Sequence, residues 1–261
     1  MSEFLNRQGG RLHYRIDGEA GAPWLTLCNS LGTNLEMWEP QMPALREHFR
    51  VLRYDTRGHG ASDLPTGPCS IADLAQDAID LLDALGIAQT HFCGLSLGGM
   101  TGMRLATDHP QRISRLVLSN TSTLMAPAAA WDARIQLVNE KGMGAVTDAV
   151  ISRWFTPEFQ TRAPTSVATV RRMLMDTSAD GYSACCAAVR DMDQRDSIKT
   201  IVAPTLVIAG SHDPATPPEH GRAIAGSIAG AQYVEIDAAH LSNWEQPDAF
   251  TRHVLDFLRA G

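Results

Sequence analysis

The stretch THFCGLSLGG, residues 90–99, decides how this chain folds. A β-type run at 90–93 ends in a glycine-flanked serine, and a helical pattern opens at Leu97 and runs to about residue 108. A serine on so sharp a strand-to-helix turn holds strained backbone angles, so its flanks must be small. Gly94 and Gly98 supply that room, and Gly99 lets the helix pack closely. The turn pushes the Ser96 hydroxyl out above a sheet, over a helix N-terminus that favours developing negative charge. The plain alternative is a glycine-rich helix start without chemistry. The strand before and the helix after favour Ser96 as a nucleophile.

The same rhythm extends outward in both directions. Strand-like runs stand at 11–17 (RLHYRID), 24–28 (WLTLC), 51–54 (VLRY) and 115–118 (RLVL), with a helix-period segment at 71–85. Strands alternating with helices of this length predict an α/β fold, a mostly parallel sheet flanked by helices. The pattern breaks after about Asn120. From 121 to about 197 the signals are helical, at 131–141, 143–155, 165–175 and 183–192, without a convincing strand. The alternation resumes at 204–209 (PTLVIA) and 232–236 (QYVEI), with helices around 219–227 and 247–259. The expectation is one discontinuous core, 1–120 and 198–261, with a helical cap or lid inserted at 121–197. Such an insertion lies near strand ends, where open α/β sheets bind ligands.

Composition limits the function. In 261 residues, 44% hydrophobic and 20% charged, one large core is the better expectation. The net charge of −7, without a basic tail or cluster, argues against nucleic acid and anionic membrane surfaces as partners. A small anionic substrate stays compatible, since one or two arginines in a pocket outweigh a diffuse surface charge. No apolar run approaches the length of a membrane span, and the start MSEFLNRQGG has neither the basic nor the apolar region of a signal peptide. Five cysteines without a CxxC pair fit a reducing cytoplasm. No metal-ligand spacing, Walker motif or GxGxxG occurs, so the expectation is no cofactor, with water as co-substrate.

A serine hydroxyl is a weak nucleophile near neutral pH and needs a base. Beyond PTLVIA stands Gly210-Ser211-His212-Asp213, and beyond QYVEI stands Asp237-Ala238-Ala239-His240. Each candidate lies past a strand's C-terminal end, on the same edge as Ser96. His240 as general base and Asp213 as its orienting acid follow the order serine, acid, histidine. His212 and Asp237 compete for these roles but would have to turn back on their own loops. His212 reads as a rim residue and His59 as a structural hydrogen bonder. The oxyanion needs donors. The Leu97 amide comes with the turn, and the loop Asn29-Ser30-Leu31-Gly32-Thr33 supplies the Leu31 amide as the second.

Asp55-Thr56-Arg57-Gly58-His59-Gly60-Ala61-Ser62 resembles the DxRGxGxS segment of α/β-hydrolases. With the 94–98 motif, Asp213 and His240, the resemblance covers the chain from end to end. Within that superfamily the chain is similar to 3-oxoadipate enol-lactonases, through NSLGTNLEMW at 29–38, Trp131-Asp132-Ala133-Arg134, Gly142-Met143 and Arg153-Trp154-Phe155-Thr156-Pro157. The resemblance implies hydrolysis of a five-membered enol-lactone bearing an acetate side chain, in aromatic-compound catabolism. A carboxylate entering a pocket needs a cation, for which Arg134 is the candidate, with Trp131 and Trp154 as ring walls. The plain alternatives are a solvated arginine and two tryptophans buried in the cap. A carboxylesterase, a cofactor-free perhydrolase and a non-catalytic receptor remain the competing functions on the same fold.

Overall fold

The alternation of apolar runs and helical periods is realised as one eight-stranded sheet. The computed structural model describes residues 2–7, 9–65, 67 and 69–260; Met1, Gln8, Thr66, Pro68 and Gly261 lie outside them. The strands are β1 (Ser2–Leu5), β2 (Leu12–Asp17), β3 (Trp24–Cys28), β4 (Arg50–Tyr54), β5 (Thr90–Leu95), β6 (Ile113–Ser119), β7 (Thr205–Gly210) and β8 (Gln232–Ile236). Their order across the sheet is β1-β2-β4-β3-β5-β6-β7-β8. β1 and β2 run antiparallel to their neighbours, and β4 through β8 pair in parallel. The central strands are buried almost throughout, as expected of strands covered on both faces.

Helices cover the sheet. The first are α1 (Met42–Leu45), α2 (Ile71–Ala84) and α3 (Leu97–Asp108). Five follow in succession between β6 and β7: α4 (Ala128–Lys141), α5 (Gly144–Trp154), α6 (Pro157–Arg162), α7 (Pro164–Asp176) and α8 (Ala179–Asp191). The last are α9 (Pro218–Ser227), α10 (Ser242–Glu245) and α11 (Pro247–Arg259). No helix among the described residues is long and apolar enough to cross a membrane.

Local chemistry accounts for the boundaries. Ser70 and Asp73 form a reciprocal capping box that starts α2: the Asp73 N–H donates to the Ser70 hydroxyl, and the Ser70 N–H donates to the Asp73 carboxylate. β1 and α6 have no counterpart in the sequence reading. β1 is a four-residue edge strand and α6 a six-residue helix, both too short to show a period. α8 begins at Ala179, four residues before the sequence pattern starts it, because Gly181 weakens the helical signal there. That glycine is required by contact, since a Cβ at Gly181 would lie 2.1 Å from the Gly58 carbonyl oxygen.

The loop after β4 is held by buried charge. The Asp77 carboxylate, 1% exposed, accepts from the Arg57 guanidinium at 2.6 Å and pairs with Arg7 at 2.8 Å. Arg57 also donates to the Asp73 carbonyl at 3.1 Å, so one side chain pins the 55–62 loop to α2. Removing one partner of a buried pair leaves the other charge uncompensated. Asp77→Ala should therefore lower unfolding free energy by about 3–5 kcal/mol, read as a fall in the urea midpoint.

Candidate active site

Ser96 sits between β5 and α3 with φ 56° and ψ −112°, a left-handed conformation that costs a non-glycine residue roughly 1–3 kcal/mol. Bonds on both sides hold it there. Its N–H donates to the Ser119 carbonyl at 2.9 Å, continuing the β5–β6 pairing. Its carbonyl accepts from the Met100 N–H at 3.0 Å, the first turn of α3, and from the Thr121 hydroxyl at 2.7 Å. The flanking glycines are sterically obligatory. A Cβ on Gly94 would meet the Gly98 oxygen at 2.1 Å, and one on Gly98 would meet the Cys28 oxygen at 2.0 Å. A Cβ on Gly99 would lie 2.7 Å from the Thr121 Cβ.

His240 and Asp213 stand on the loops after β8 and β7. Two backbone bonds lace those loops together, Ser211 N–H to the Ile236 carbonyl at 2.9 Å and His212 N–H to the Ala238 carbonyl at 3.0 Å. The Asp213 carboxylate lies 2.8 Å from His240 Nδ1. A carboxylate only accepts, so Nδ1 carries the proton and Nε2 is left as the basic nitrogen. Asp213 accepts from four further donors: the Ala215 and Thr216 N–H groups, the Thr216 hydroxyl at 2.7 Å and Asn120 Nδ2 at 3.0 Å. Burial alone would raise its pKa. The neighbouring His240, together with the Thr216 and Asn120 hydrogen bonds, outweighs burial and holds it below the ordinary carboxylate value.

Asn120 is a residue that sequence reasoning passed over. It holds φ 45° just past β6, and its carboxamide also accepts from the Ser119 and Ser242 hydroxyls at 2.7 and 2.6 Å. The rival pair His212 and Asp237 bond to each other at 2.8 Å on the exposed side of the two loops. His59 is buried and donates from Nδ1 to the Arg57 carbonyl at 3.1 Å; burial lowers its pKa, which leaves it neutral and structural.

Ser96 and His240 face a cavity of about 200 Å³. Leu31 and Leu97 line it together with Ser96, and residues of α4, α5 and α8 complete the lining. Trp131, Arg134 and Trp154 all reach it. The Trp154 ring stacks on the His240 ring, with centroids 6.5 Å apart and an interplanar angle of 24°. The Arg134 guanidinium lies 4.7 Å from the Trp131 ring centroid. The sequence reading overlooked Arg153, which lines the same cavity. Its signal was helical spacing, since Val150, Arg153 and Trp154 stand at i, i+3 and i+4 on one face of α5. Among the described residues, neither Arg134 nor Arg153 forms an ion pair with a carboxylate. Burial lowers the pKa of Arg153, and the nearby Arg134 charge lowers it further. Two cations thus share a partly dry wall without a counter-ion.

Known proteins share this arrangement of chain. A family model described as "alpha/beta hydrolase fold" matches residues 23–141, and one described as "TAP-like protein" matches 171–261. The 3-oxoadipate enol-lactonase 2 of Acinetobacter baylyi is 42% identical over 97% of this chain and 95% of its own. A crystal structure of a hydrolase from Pseudomonas aeruginosa PA01 superposes with a TM-score of 0.97 at 50% identity, covering 99% of this chain and 98% of that one. The enol-lactonase from Burkholderia xenovorans LB400 superposes with a TM-score of 0.96 at 48% identity, covering 98% of this chain and 99% of that one. Sheet order, the strained serine turn and end-to-end identity agree, and the chain belongs to the α/β-hydrolase fold family.

Proposed function

We propose that this protein hydrolyses the enol-lactone of 3-oxoadipate, with Ser96 as nucleophile, His240 as general base and Asp213 as its orienting acid. The observation that carries the substrate choice is the pair Arg134 and Arg153, two cations without carboxylate partners among the described residues, which line the same cavity as Ser96. A partly buried arginine pair is costly by itself and is stabilised by an anion that enters. An enol-lactone with an acetate arm presents one carboxylate to that wall and a lactone carbonyl to Ser96. The similarity to named enol-lactonases supports the same choice.

His240 Nε2 takes the Ser96 proton as Oγ attacks the lactone carbonyl, and Asp213 stabilises the imidazolium. The Leu97 N–H, in the first turn of α3 and without an intrahelical acceptor, and the Leu31 N–H receive the oxyanion. Collapse breaks the ring C–O bond. The leaving oxygen is an enolate whose charge is delocalised, and it takes the proton from His240. The acyl group stays on Ser96 until His240 draws a proton from water, which attacks and releases the second carboxylate. The enol then tautomerises to the ketone. In this reading 121–197 acts as the cap, with Trp131 and Trp154 walling the ring, and the protein works in the cytoplasm with water as its co-substrate.

Two measurements test this. Ser96→Ala should lower kcat with the enol-lactone by a factor on the order of 10³ or more, and retention of wild-type turnover refutes the nucleophile. Arg134→Gln and Arg153→Gln should each remove roughly 1.5–3 kcal/mol of transition-state binding, about tenfold to a hundredfold in kcat/KM for the enol-lactone. The penalty should be much smaller with neutral p-nitrophenyl acetate. Equal losses on both substrates would refute anion recognition.

A further inference from the structure

The short helix that follows the His240 loop carries a buried carboxylate that the hydrolytic scheme does not use. Glu245 ends α10 and is 5% exposed. Its Oε2 accepts from the Ala239 N–H at 3.0 Å and from the Thr156 N–H at 3.3 Å, and its Oε1 accepts from the Thr156 hydroxyl. Ala239 immediately precedes His240. Thr156 follows Trp154 by two residues, and Trp154 is the residue whose ring stacks on His240. On the other side of His240, the Leu241 N–H donates to the Trp154 carbonyl at 3.0 Å. Both neighbours of His240 are therefore fastened to the segment 154–156, one directly and one through Glu245.

A carboxylate this deeply buried is costly unless its oxygens are satisfied. All its recorded partners belong either to the His240 loop or to the segment that leaves α5. Packing alone needs no charge at this place. We propose that Glu245 is a positioning residue: it locks the His240 loop to the 154–156 segment, so that the seating of the helical insertion on the core sets the place of the base. The proposal rests on the reading of Ser96 and His240 as nucleophile and base. Its consequence is mechanical. Contacts that a substrate makes with Arg153 and Trp154 bear on the same short segment that holds His240, so binding on the cap wall helps to orient the base.

The test compares Glu245→Ala, Glu245→Gln and Thr156→Val, with kcat and KM measured separately on the enol-lactone and on p-nitrophenyl acetate. Glutamine can keep all three contacts: its oxygen accepts the two N–H groups and its amide donates to the Thr156 oxygen. Glu245→Ala should lose about 10- to 100-fold in kcat on both substrates. Glu245→Gln should recover to within about threefold of wild type, and Thr156→Val should lose about fivefold alone and nothing further on Glu245→Ala. Folded Glu245→Ala with wild-type kcat overturns the proposal. So does Glu245→Gln as slow as Glu245→Ala, because charge rather than position would then be at work. If Glu245→Ala does not fold, Thr156→Val decides, a lowered kcat supporting the proposal and an unchanged kcat overturning it. Ser96→Ala and His240→Ala run in parallel; activity retained in the first identifies a failure of the nucleophile assignment, and in the second a failure of the base assignment.

Discussion

The close approach of backbone to backbone under Ser96 is the constraint on which the rest depends. Gly98 lies so near the Cys28 carbonyl, and Gly94 so near Gly98, that no side chain fits at either position. This contact brings α3 down onto β3 and β5 and forces Ser96 into its left-handed conformation. The strain is offset by three hydrogen bonds to the Ser96 backbone, from β6, from the α3 ladder and from Thr121. The serine hydroxyl is thereby presented at the C-terminal edge of the sheet. Everything else in the site has to come to that edge, and the loops after β6, β7 and β8 all do.

Three buried carboxylates follow one rule. Asp77 is met by two guanidinium groups, Asp213 by an imidazole and four further donors, and Glu245 by three neutral donors. Each carboxylate's partners lie on different elements, so each also works as a joint: Asp77 between α2 and the loop after β4, Asp213 between the β6, β7 and β8 loops, Glu245 between the β8 loop and the end of α5. The Arg134 and Arg153 wall is different. There the folded chain leaves two cations near one another, and burial further disfavours the charge on Arg153. Partly buried charge without a partner is where a ligand has most to contribute.

The sheet and the serine turn were legible in the sequence because both are written in local pattern. β3, β8, α3 and α11 stand where apolar runs, turn residues and helical periods put them. Long-range contact was not legible. Gly181 looks like a helix breaker until Gly58 is seen against it, and Asn120 looks like a strand-end loop residue until its carboxamide is found bonded to Asp213, Ser242 and Ala239. Arg153 was hidden for another reason. It stands within the segment RWFTP, but its orientation follows only when the helical phase is counted from Val150. The family resemblance gave Arg134 and the two tryptophans, and the structure brings those three to one cavity with Ser96.

The acidic balance of the chain and an anionic substrate are compatible for a reason of range. Exposed carboxylates act through water, and salt screens them beyond about 8 Å at physiological ionic strength. Unit charges 4 Å apart interact by about 1 kcal/mol in water but about 4 kcal/mol at the effective dielectric of a protein surface cleft. Two cavity arginines therefore outweigh a net charge of −7 spread over the whole molecule.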